Sequence, residues 1–134
     1  ILMAIIGSNA CHAWGQTNAN GSLYDSYNLS SVTDQGTGDM QFNFTTNFNS
    51  QYDYAAVGTG RAETSGYGNA ATVQVKYGTA PQANYCRMTN TYQDDNNNGV
   101  YHKDTSHFSF LGVGGDVWWQ IQILVLCIWI VMVR

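Results

Sequence analysis

Charge is scarce in this chain. Only 10% of its 134 residues are Asp, Glu, Lys or Arg, and five basic residues against nine acidic ones leave a net charge of −4. No Lys/Arg stripe exists to release counterions from a phosphate backbone, so nucleic acid is excluded as an expected partner. Glutamate is reduced to Glu63, which sits in a Gly/Ser-rich loop without an acidic neighbour. No G-x-S-x-G elbow, P-loop or H-E-x-x-H occurs, and the expectation is a protein that is not an enzyme and holds no cofactor. Cys11, Cys86 and Cys127 lack any C-x-x-C spacing, and His12, His102 and His107 form no i, i+2 or i, i+4 pair. No metal site is expected within one chain. The cysteines read as small thiols, with a Cys11–Cys86 disulfide as the alternative.

Proline is reduced to one residue, and no sustained helical period runs between Gly7 and Gly112. Fourteen glycines with abundant Thr, Tyr and Val favour short strands joined by turns. The length suits one domain with a hydrophobic core. The expected fold is all-β, an antiparallel β-sandwich of about 6–8 short strands.

The clearest local signal is the segment 25–46, DSYNLSSVTDQGTGDMQFNFTT, which reads as one hairpin. Met40, Phe42 and Phe44 alternate with Asp39, Gln41 and Asn43, the period of a half-buried strand. Gly36 and Gly38 supply the backbone freedom of the turn. The first arm is expected over 26–33, with Tyr27 and Leu29 on one face. Val32 then falls on the wrong parity, and a β-bulge at Ser30-Ser31 would return it to the core side. Further strands are expected over 11–16 with Trp14 as apolar anchor, over 52–57 ending in GTG, and over 71–77 with Val73, Val75 and Tyr77 inward. Two more are expected over 85–92 and 102–111.

The chain divides into an apolar N-terminal remnant or linker (1–10), a β-sandwich domain (11–112) and an apolar tail (113–134). It begins at Ile1, as a fragment or processed chain would, and Ile1–Ile6 is too short and uncharged for a secretory signal. The tail from Val117 to Val133 is interrupted only by Gln120 and Gln122. A short transmembrane segment, a buried strand and a non-native end are the three readings, so membrane contact of 113–134 stays open.

Asp94-Asp95-Asn96-Asn97-Asn98-Gly99 matches the first half of a calcium loop, but position twelve is Thr105 in place of a bidentate glutamate. A hairpin tip turning at Asn98-Gly99 is the competing reading. Asp25, Asp34, Asp39 and Asp53 all stand beside expected turns, where Asp is common for backbone reasons. The triplets starting at Asn20, Asn28 and Asn43 have the form of glycosylation sequons, which an Asn/Thr-rich chain produces by chance. Of the nine tyrosines, Tyr52, Tyr54, Tyr67, Tyr92 and Tyr101 stand near loops or strand ends, where Tyr beside Asn, Asp and Gln has the chemistry of sugar recognition, a flat ring under a pyranose with amides bonding its hydroxyls. Packing on sheet faces with wet hydroxyls is the competing reading for most of them. Candidate recognition residues are Arg61, Tyr67 and Asn69 after Gly60, with Tyr92, Asp94, Asp95, Asn96 and Asn98 around the Asp/Asn run.

The succession HAWGQ, DSYNLSSVTDQGTGDMQFNFTT and YDYAAVGTG resembles the C-terminal domain of phage tail-fibre and tail-collar-type proteins. Ser26 to Thr33, Asp34, Gly36, Thr37, Gly38, Asp39 and Phe44 stand in the places of that family's pattern, and His107 to Gly112 is similar to its closing aromatic–glycine strand. The likeness covers about 11–112 and excludes the apolar tail. It implies a virion structural protein that assembles as a homotrimer and contacts the host surface, its partner a cell-surface glycan or outer-membrane component. The alternative is a bacterial cell-surface adhesin-like or carbohydrate-binding sandwich, anchored to the envelope by its tail.

Overall fold

The computed structural model describes residues 11–61, 72–94 and 99–114. Among them are nine strands and no helix: β1 (Cys11–Thr17), β2 (Leu23–Tyr27), β3 (Leu29–Gly36), β4 (Asp39–Phe44), β5 (Tyr54–Gly60), β6 (Thr72–Val75), β7 (Tyr85–Asp94), β8 (Gly99–His102) and β9 (Phe108–Gly114). They form two antiparallel sheets. One has the order β2-β1-β9-β5, and the other β3-β4-β7-β6 with β8 also paired to β7. The expected all-β sandwich is therefore the fold. Two expected strands are each divided between the sheets, which raises the strand number above the expected range.

Between the sheets, β4 contributes Met40, Phe42 and Phe44, as its alternation predicts, and β7 contributes Cys86 and Met88. Phe108 and Phe110 of β9 meet them, with Phe42 stacked on Phe110 at 4.9 Å between ring centres. Phe48, from the loop after β4, closes one end, edge-on to Phe44 at 4.9 Å. Buried apolar area of this kind is the main favourable contribution to folding.

The bulge is where the parity argument places it. Leu29 pairs with Phe44 but Ser31 with Asn43, so one extra residue stands in β3 at Ser30. Val32 consequently packs against the core. The expected first arm differs, however. Asn28 adopts a left-handed conformation, φ 56°, and there the chain leaves one sheet for the other. Tyr27 therefore ends β2 and is 54% exposed, while Leu29 begins β3 and is buried. The Asn28 amide holds the corner: its Nδ2 donates to Thr46 O at 2.9 Å, and its Oδ1 accepts from Thr46 N at 2.7 Å.

Gly38 closes the hairpin at φ 62°, and a Cβ there would run into the backbone of Asn90 and Lys103. The GTG expected to end a strand does so, as the last three residues of β5. A Cβ on Gly58 would strike Val73 and Met88, so its absence lets β5 lie close to the opposite sheet. The expected strand over 102–111 is two strands in different sheets, β8 and β9. Between them Thr105 is buried, with its hydroxyl donating to Arg61 O at 2.7 Å.

Two expected inward residues face out. Trp14 is 37% exposed and Tyr77 96%, while Ala13, Gly15 and Thr17 are the buried positions of β1. Among the described residues Cys11 and Cys86 are free thiols, and no helix is long and apolar enough to cross a membrane. β9 reaches Gly114, two residues past the expected domain edge. The remainder of the tail, residues 115–134, lies outside the described residues, as does the remnant 1–10.

Candidate functional site

The outer face of the five-stranded sheet is polar because β4, β6 and β7 alternate. Each inward Met, Phe, Val or Cys leaves a polar neighbour outward. The register Asp39↔Thr89↔Gln74 places three such residues in one row. Asp39 is 5% exposed although it stands on this outer face, because two cations cover it. Arg87 Nε donates to Asp39 Oδ1 and Arg87 Nη2 to Oδ2, each at 2.7 Å. Lys76 Nζ donates to the same Oδ2 at 2.7 Å. Burial opposes ionisation of Asp39, but the bonds and charges of Arg87 and Lys76 outweigh it and hold the carboxyl below its ordinary pKa.

Beside this ion cluster runs a cleft of about 270 Å³. Its floor is Thr89 and Thr91 of β7, its walls are Gln74 and Lys76 on one side and Val100 and His102 on the other, and Tyr77 stands at the rim. At roughly 30 Å³ per water, the cleft holds about nine waters and suits a small polar ligand. Thr91 donates its hydroxyl to Thr72 O at 3.3 Å. Thr89 is 2% exposed, and what it shows of itself faces the cleft; the buried side-chain polar atoms left without a partner among the described residues are His12 Nε2 and Asn90 Oδ1.

The residues expected to bind lie elsewhere or outside the described residues. Tyr67, Asn69, Asp95, Asn96 and Asn98 belong to the latter group. Arg61 is exposed just after β5, its N–H donating to His107 O at 3.0 Å. Asp94, in β7, pairs with Gly99 of β8. Tyr92 lies on the opposite face of β7 from the cleft, its ring 5.8 Å from that of Tyr101 with the Lys103 ammonium 5.2 Å from its centre. The cleft residues carry no motif. Alternation alone turns Gln74 and Lys76 outward, but only the pairing of β6 and β8 on either edge of β7 brings them together.

The outer face of the four-stranded sheet has the opposite character. Tyr27 pairs with Trp14, Trp14 with Leu111, and Leu111 with Val57. These four exposed residues make one apolar row across all four strands, roughly 14 Å wide at the usual strand spacing. The next row, Asp25, Gln16, Ser109 and Thr59, carries a single charge.

The core thiol is passive. Burial, opposed by the Tyr54 hydroxyl, pushes Cys86 up to about 11, so it stays a neutral thiol near pH 7. Tyr54 bonds Gln82 O at 3.0 Å and Tyr85 O at 3.2 Å, and burial raises its pKa also. Among the described residues no group of three His, Cys, Asp or Glu is placed to hold a metal ion. Compared with known proteins, the chain matches no family model, no curated protein and no solved structure.

Proposed function

We propose that this chain is a virion structural protein, a tail-fibre tip module that assembles as a homotrimer and attaches to a bacterial surface glycan. The carrying observation is the cleft on the five-stranded sheet, where Gln74, Lys76, Thr89, Thr91 and His102 bring polar side chains around one small space beside the exposed Tyr77. Sugar hydroxyls are donors and acceptors at once, and they complete such a site better than an apolar ligand does.

Self-association accounts for the other face. The row Tyr27–Trp14–Leu111–Val57 is bordered by nearly uncharged residues, so copies of the chain can meet there without like-charge repulsion. Several copies joined this way present several clefts to one surface, and multivalency turns weak sites into firm attachment. The likeness of 11–112 to tail-fibre ends supports the same reading.

Binding of the labelled full chain to immobilised bacterial surface polysaccharides, with its mass from light scattering, tests this. A trimer retained by at least one polysaccharide is expected. A monomer that binds favours the envelope-anchored adhesin, and a chain retained by none contradicts both.

A further inference from the structure

We infer that the cleft prefers saccharides carrying an anionic group, and that Lys76 is the residue that reads the charge. This rests on the cleft being a saccharide site. Among the described residues Asp39 is the one carboxylate that Lys76 and Arg87 share, so within this cluster two cations against one anion leave a positive charge over. Lys76 is both a member of that cluster and a wall of the cleft.

The donors are not exhausted either. Arg87 spends two of its five N–H groups on Asp39, and Lys76 spends one of its three. Both side chains are about a quarter exposed, 26% for Lys76 and 25% for Arg87, so the cluster is not sealed from solvent. The other cleft residues, Gln74, Tyr77, Thr89, Thr91, Val100 and His102, include no carboxylate to compete for the charge. A positive charge held over a cleft in a chain of net charge −4 is a local reversal of sign. Such a charge favours anionic ligands and disfavours cationic ones. Carboxylate and phosphate share this chemistry, and matched probes separate them.

The experiment uses the full chain with two pairs of ligands: oligogalacturonate with its carboxyl-reduced neutral counterpart, and phosphomannan with its dephosphorylated form. Titration at low salt is expected to show at least tenfold tighter binding for the anionic member of one pair, narrowing at high salt. Which pair shows it identifies the group. In Lys76→Gln, whose melting temperature is measured alongside, the preference falls to within about twofold. Lys76→Arg retains it. Equal binding within each pair overturns the charge preference alone and leaves the saccharide reading standing. Binding of neither pair overturns both. A preference that survives Lys76→Gln overturns the role of Lys76.

Discussion

Arg87 grips Asp39 with two parallel hydrogen bonds of 2.7 Å, Nε to Oδ1 and Nη2 to Oδ2, on a sheet face turned toward solvent. Two-point pairing fixes both planes, and the ammonium of Lys76 completes the cover. The cluster ties together three strands or their ends: Asp39 opens β4, Arg87 lies in β7 and Lys76 follows β6.

Acid should test this cluster. An unfolded Asp titrates near 3.8, and folded Asp39 titrates lower. Between those values the unfolded chain binds the proton more readily, so stability is full above about pH 4 and is lost as pH falls through the folded value. Asp39→Asn should lower stability near pH 7 by ~2–3 kcal/mol, less than for a fully buried pair because both cations are partly wet. It should also flatten the acid limb. Denaturant melts of both proteins between pH 2 and 7 check this.

The corner at Asn28 should depend on backbone and side chain separately. Asn28→Gly keeps the left-handed conformation but loses two bonds to Thr46, at a cost of about 1–2 kcal/mol. Asn28→Ala loses both and adds about 1 kcal/mol or more of strain. Equal melting temperatures for the two variants would show that the conformation carries no weight.

The close approach at Gly58 should be intolerant of a methyl group. In Gly58→Ala the new Cβ meets Val73, Met88 and the carbonyl of Ser109, and a loss of about 1–3 kcal/mol is expected. Thr59→Ala, one residue on and outward, should cost less than half as much by chemical denaturation.

Alkali should act through the core thiol. Cys86 ionises near 9 in the unfolded chain and near 11 when folded. Stability from this group is therefore present below pH 9 and lost as pH rises toward 11. Site-resolved mass spectrometry with a thiol reagent near pH 8 should show Cys86 labelled only as fast as the chain unfolds, and Cys11 sooner.

Much of the architecture was legible because one physical rule governed it. Alternation marks Met40, Phe42 and Phe44 as core, and the parity of Val32 locates the bulge at Ser30. The misreadings share a cause. Tyr27, Trp14 and Tyr77 are large and apolar enough to read as inward, but which sheet a strand joins depends on partners far along the chain. Asn28 carries no helix-breaking or glycine signal, so the corner that flips Tyr27 outward is silent in the sequence. The cleft was illegible for a related reason: Gln74, Thr89 and His102 are ordinary polar residues until β6, β7 and β8 lie side by side.

Thr89→Val tests the central claim most directly, because it removes one hydroxyl and nearly nothing else. If that hydroxyl serves a saccharide, its loss should leave the melting temperature nearly unchanged, since it opens to the cleft and not to the core. Binding of the full-length variant to a polysaccharide that retains the parent chain should weaken at least tenfold. Unchanged binding, or a fall in stability without a fall in affinity, would contradict the account.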